Sequence, residues 1–228
     1  MNKEIIEKTT KFCNEIFVDK KEYKLPDEFN YGHLPLCAID SIFSIGVKYE
    51  TVQNSINHFC DHYSIDKFSK TNELSTSDFL KLMERQSIKE LTENIYKNRQ
   101  RTSTRSGILK SEAVILFLKV LQKFKINKLS DIDKIITSEQ FETEIKEIPG
   151  QNSGISLTYF FMLAGSDELI KPDRMILRFL ENISGEKVSL KDCQVILAAV
   201  ADQLKNNGFN ITPKKLDNLI WNYQRNLN

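Results

Sequence analysis

Apolar residues along the chain recur at i, i+3, i+4 and i+7 rather than in alternation, a pattern that predicts helices and no sheet. The clearest helix is the last. Behind a Thr212-Pro213 start, Leu216, Leu219, Ile220 and Tyr223 line one face. Gly208 is expected to close the helix before it. That helix opens at Ser189-x-x-Asp192, a variant of the capping box, and runs through the apolar stretch Val195 to Val200. Ser75-x-x-Asp78 and Thr137-x-x-Gln140 mark two further starts in the same way. Residues 110–124 are apolar almost all round, which suits a central helix covered on several sides. With only 8 Gly and 5 Pro as breakers, the expected fold class is all-α.

Composition narrows the function classes. At 40% hydrophobic and 28% charged residues, and a mean hydropathy of −0.37, the chain falls with globular proteins, away from disordered and collagenous ones. No apolar run approaches the roughly 18 residues of a transmembrane helix. The opening MNKEIIEKTTKF has no hydrophobic core of the kind a secretory signal needs, so an intracellular, cytoplasmic location is expected. Cys13, Cys37, Cys60 and Cys193 lie far apart with no Cys-x-x-Cys spacing, which argues against a zinc knuckle, a cysteine-bound cluster or a disulfide framework. His58 and His62 share a helix face, but two histidines do not make a metal site, and none is expected.

Charge is unevenly spread. Residues 81–128 hold 12 Lys and Arg against 4 Asp and Glu, a net +8, while the remainder holds 20 against 27, a net −7. This points either to a polyanion-binding surface or to an ordinary solvated helical face. The connection Lys97–Gly107, with Arg99, Arg101 and Arg105, is the one strongly polar and basic loop.

The segment Thr137–Leu180 carries the candidate chemistry. A helix with Phe141, Ile145 and Ile148 on one face stops at Pro149-Gly150, and a second begins about four residues later, at Ser153 or Gly154. A helix, a Pro-Gly turn and a helix together expose backbone N–H groups at the second helix's start, a ready clamp for phosphate. Farther on, Lys171-Pro172-Asp173-Arg174 is expected to put Pro172 at the first helical position and Asp173 in the first turn, where the helix dipole favours an ionised carboxylate.

Ile148-Pro149-Gly150-Gln151-Asn152, followed a little over twenty residues later by Pro172-Asp173-Arg174-Met175-Ile176-Leu177-Arg178, resembles the helix-hairpin-helix DNA glycosylase superfamily, which includes endonuclease III and the adenine and alkyl-purine glycosylases. Ser106 to Ala113 and Leu34 to Ile45 are similar to that superfamily's segment before the hairpin and its early core helix, so the resemblance covers about residues 30–180. It implies two helical lobes, residues 30–150 and residues 1–29 plus 151–228, with the hairpin beside a cleft. It implies that a damaged or modified base is turned out of duplex DNA and its N-glycosidic bond hydrolysed, with Asp173 as the catalytic carboxylate. Gly150, Gln151, Asn152 and Gly154 would then hold phosphate, Lys171 and Arg174 would add charge, and Arg99, Arg101 and Arg105 would border the DNA groove. The partner implied is duplex DNA, bound by a monomer that is nucleoid-associated when on DNA. No cofactor is implied beyond a monovalent cation at the hairpin.

Four departures shape that expectation. Gly154 stands where bifunctional members carry a Schiff-base lysine, so a monofunctional enzyme is expected. Asn152 replaces the second hairpin glycine. The wedge residue would fall near Gly46, with Lys48 or Tyr49 as substitutes. The four-cysteine cluster of some members is missing, Cys193 standing alone in that region. The alternative is a non-catalytic helix-hairpin-helix module that binds DNA. Asp40, within an apolar helix, is read as a partner for a buried group in preference to a base-pocket residue.

Overall fold

The structure is a computed structural model and describes residues 2–227. The helices are α1 (Asn2–Ile16), α2 (Leu34–Phe43), α3 (Tyr49–Tyr63), α4 (Thr76–Met83), α5 (Ile88–Glu90, continued by a π turn, Leu91–Ile95), α6 (Lys110–Lys123), α7 (Glu139–Glu147), α8 (Ile155–Leu163), α9 (Arg174–Ser184), α10 (Leu190–Asn206) and α11 (Pro213–Asn226). Among the described residues no strand forms, and the single bridge pair is Arg101 with Leu109. The protein is all-α.

Local signals set most of the helix starts. Ser75 and Asp78 form a full capping box, Ser189 caps the Asp192 N–H, and Thr212 caps the Lys215 N–H with Pro213 behind it. One start differs from expectation. Ser138, not Thr137, caps α7 through the Phe141 N–H at 3.2 Å, because its hydroxyl is the one that faces the open first turn.

Two compact units divide the chain, one running from Glu28 to Gly165 and the other joining the residues up to Asp27 to those from Ser166 onward. Residues 151–165, expected in the second lobe, pack in the Glu28–Gly165 unit. The reason is α8: its sequence ISLTYFFML is apolar all round, and it buries that surface against α2.

Within the Glu28–Gly165 unit, α2 is buried at every position and is packed by α3, α4, α6 and α8. Aromatic rings fill the gaps, Phe43 against Tyr96 at 4.7 Å and Phe117 against Phe160 at 4.9 Å. Asp40 lies on α2 and accepts a hydrogen bond from the Tyr31 hydroxyl at 2.8 Å. Lys110, counted by sequence into the basic surface, is only 1% exposed. Its Nζ donates to Phe43 O at 2.9 Å, Ile45 O at 2.8 Å and Gln100 Oε1 at 3.1 Å, so its three protons meet three acceptors.

In the other unit, α1, α9, α10 and α11 enclose a core that includes Cys13, Phe179, Leu197, Leu204 and Ile220. Cys13, Cys37, Cys60 and Cys193 are buried thiols outside any disulfide. Burial pushes the thiols of Cys13, Cys60 and Cys193 up to about 12, so these side chains act as small apolar residues.

Candidate nucleic-acid interface

The hairpin forms from two successive turns. Ile148 leaves the helix with ψ 127° because the following proline disfavours helical backbone, and the Gln151 N–H closes the first turn on Ile148 O at 2.9 Å. Pro149 and Gly150, with Gly150 at φ +89°, occupy the central positions that a type II turn demands. Gly154, at φ +73°, closes the second turn on Gln151 O at 3.0 Å and stands at the N-cap of α8. A glycine offers no side-chain cap; the Ile155 N–H donates at 3.4 Å to Ser153 Oγ, a weak bond, and the first turn of α8 otherwise lacks an N-cap side chain.

Gly150 has a second constraint. A Cβ there would lie 2.4 Å from Cβ and Oγ1 of Thr102, in the arginine loop. Thr102 Oγ1 donates to Pro149 O at 2.7 Å and accepts the Ile108 N–H at 3.2 Å. The hairpin is therefore pinned to the basic loop, a contact across 47 residues of sequence that no periodicity reveals. Replacing Gly150 with Ala should destabilise the protein by about 2–3 kcal/mol, from the left-handed backbone and the Thr102 clash together. Urea denaturation measures this, and a loss below about 0.5 kcal/mol would show that the turn relaxes freely.

Other expected phosphate contacts change role. Gln151 is fully buried and its Oε1 accepts the Ser156 hydroxyl, so its side chain pins the turn from inside and cannot reach DNA. Asn152 is exposed. Arg101 is exposed, but its Nε donates to Gly107 O at 2.9 Å and so shapes the loop as well as charging it. Arg99 is exposed and ion-paired with Glu93 at 3.1 Å, while Arg105 stands exposed on the loop. Sequence reasoning missed Lys146: its Cε lies 3.1 Å from where a Cβ of Gly154 would be, and its ammonium pairs with Glu142. The wedge position Gly46 is exposed with open space beside it. Tyr49 stacks on Phe29 at 6.1 Å and its hydroxyl accepts from Gln53 at 2.8 Å, so its ring is committed to packing. Lys48 is exposed at the N-cap of α3.

Asp173, Lys171 and Arg174 belong to the other unit. Asp173 is the N-cap of α9 and not, as expected, a residue of its first turn: the helix starts at Arg174, two residues later than a Pro172 start would place it, and Pro172 precedes it. An aspartate is among the best caps, and its Oδ1 takes the Met175 N–H at 2.8 Å and the Ile176 N–H at 3.2 Å. Among the described residues Oδ2 accepts no hydrogen bond. Arg174 is exposed at the first helical position, where the helix dipole disfavours a cation. Near the other end of α9 a pocket of about 360 Å³ opens among Phe12, Phe179, Ile183, Tyr223 and Lys11, and Asp173 does not line it.

Residues 7–225 match the family described as "Domain of unknown function (DUF8548)". No curated protein and no solved structure shows a significant match.

Proposed function

The chain belongs to the DUF8548 family, and we propose that it binds duplex DNA through its hairpin and basic loop and, with Asp173 as the catalytic carboxylate, hydrolyses the N-glycosidic bond of a damaged or modified base. The observation that carries the DNA-binding half is the pinning of Pro149-Gly150 onto Thr102. It ties the turn that leads into α8 to the loop that carries Arg101 and Arg105, which supports reading the two segments as one phosphate-binding surface. Backbone N–H groups and arginines hold phosphate without reading sequence, as an enzyme that must scan DNA requires.

Base loss passes through a sugar with oxocarbenium character, which a fixed carboxylate stabilises while it orients the attacking water. Asp173 is fixed through Oδ1 and keeps Oδ2 without a protein hydrogen bond among the described residues. Arg174, at a helix start that favours anions, costs a few tenths of a kcal/mol there, a cost that a bound phosphate would offset. A non-catalytic DNA-binding module is the second reading, and Gly46 favours it: the expected wedge position has no side chain and Tyr49 is stacked on Phe29, which leaves the exposed Lys48 as the substitute.

Titrating a fluorescent duplex at several salt concentrations tests the DNA-binding half common to both readings. Affinity should fall linearly in log–log form as salt rises, and Arg105→Ala should reduce the slope by about 0.9, the value of one phosphate contact. Arg101→Ala should weaken binding more, because the Nε bond to Gly107 O is lost too. Absence of binding at low salt, or binding indifferent to salt, would overturn the proposal.

A further inference from the structure

We propose that Asp217, on α11, is the positioning residue for Asp173: its side chain holds the strap 170–173 that delivers Asp173 to the start of α9, a role that rests on Asp173 being the catalytic carboxylate. The strap belongs to no helix, so its backbone donors need partners from elsewhere. The Ile170 N–H donates to Gln194 Oε1 of α10 at 2.7 Å. The Lys171 N–H donates to Asp217 Oδ1 at 2.8 Å, Pro172 has no donor, and the Asp173 N–H donates to Lys171 O at 2.7 Å. Every donor from Ile170 to Asp173 is thereby matched, and two of the three bonds come from side chains of α10 and α11. Gln194 is itself anchored by donating Nε2 to Glu168 O at 3.0 Å. Removing Asp217 leaves the Lys171 N–H without its acceptor, one peptide from Pro172 and two from Asp173.

The chemistry of Asp217 suits a holder and not a second charge. It is 7% exposed, and the groups facing it are Lys171 and Asp173 from the strap and Cys193 from α10. Burial first, and the Asp173 carboxylate second, raise its pKa well above the ordinary carboxyl range. In the protonated form, which this shift favours, it still accepts the Lys171 N–H through Oδ1 and places no second negative charge beside Asp173. Ionised, it would repel Asp173 across the strap. The sign follows from proton linkage. The folded state binds a proton on Asp217 that the unfolded chain releases, so its contribution to stability falls as pH rises from the ordinary carboxyl range to the folded pKa.

Asp217→Asn keeps the acceptor and removes the titration, whereas Asp217→Ala removes both. Hydrogen exchange of the Lys171 amide, followed by NMR, should be slow in the wild type and in Asp217→Asn and fast in Asp217→Ala. The carboxylic-acid carbonyl stretch of Asp217 should persist in the wild type to higher pH than that of an ordinary exposed carboxyl and be absent from both variants, as isotope-edited infrared spectra would show. Base release by Asp217→Ala should fall in kcat by roughly a hundredfold with KM little changed, the size of effect that a small misplacement of a reacting group produces. Asp217→Asn should keep that activity and lose the fall in stability that the titration of Asp217 adds as pH rises. A Lys171 amide that stays protected in Asp217→Ala, or an Asp217→Asn variant that behaves like Asp217→Ala, would overturn the assignment. If the amide behaves as expected while even the wild type releases no base from any lesion, the hold on the strap stands and the glycosylase proposal falls.

Discussion

Replacing Asp173 by Asn is expected to lower base release by about a hundredfold to a thousandfold while leaving fold and DNA affinity nearly unchanged. Asparagine caps a helix about as well as aspartate, and its Oδ1 can take the same Met175 and Ile176 N–H groups, so the start of α9 survives. What disappears is the negative charge, and with it the stabilisation of a cationic sugar. DNA affinity should stay level or rise slightly, because an uncharged amide repels phosphate less. Duplexes carrying single lesions, treated with hot alkali to reveal abasic sites, report the loss directly. Full activity in Asp173→Asn would move the chemistry to another residue.

Borohydride trapping, run beside that assay, tests the route. The wild type should give no adduct, since Gly154 supplies no amine and the amine nearest it, Lys146, is engaged with Glu142. A trapped adduct would refute the monofunctional mechanism, and its loss in Lys146→Met would name the nucleophile. Asp173→Asn carries one further consequence. It removes the charge that helps keep a proton on Asp217, so the carboxylic-acid signal of Asp217 should disappear at lower pH than in the wild type.

The features legible in sequence were those fixed within a few residues. Ser75, Ser189 and Thr212 cap where the spacing predicts, and Pro149-Gly150 turns the chain because proline fixes its own φ and glycine freely takes the positive φ that follows. The two-residue offset in the start of α9 is equally local. The proline preference for the first helical position and the aspartate preference for the cap compete within one tripeptide, and the cap, which satisfies two N–H groups, prevails. What escaped were partners distant in sequence. Gln151 looked like a surface residue of the hairpin, but its burial is decided by Ser156 and the helices around it. Thr102 meets Pro149 across 47 residues, and Asp217 meets Lys171 across 46. Nothing in the spacing of either pair announces the contact.

Lys110 is the furthest of these from its sequence reading, and replacing it should have the largest effect on stability. Lys110→Met keeps most of the side-chain volume but leaves Phe43 O, Ile45 O and Gln100 Oε1 without the ammonium that joins the end of α2 to the start of α6. Hydrogen bonds to a charged donor are worth about 1.5–3 kcal/mol each, and relief from burying the charge offsets part of the sum, so a net loss of about 3 kcal/mol at pH 7 is expected. The same exchange loosens Gln100 and with it the loop that seats the hairpin, so DNA affinity should drop as well. The pH dependence separates this origin from a packing defect. Burial pulls the Lys110 pKa from its ordinary 10.5 down to about 8. Between those values the unfolded chain holds a proton that the folded protein has released, so folding gains on the wild type as pH rises. The deficit of Lys110→Met relative to wild type should therefore widen by about 1.4 kcal/mol per pH unit above 8. From about pH 9 upward the buried thiols of Cys13, Cys60 and Cys193 work the opposite way, since the unfolded chain ionises them first. They do so equally in both proteins and cancel in the difference. Urea denaturation of the pair at pH 7, 8, 9 and 9.5 decides the matter. A constant deficit would mean that Lys110 titrates as an exposed lysine does, and no deficit at pH 7 would mean that the two carbonyls and the Gln100 amide find other donors.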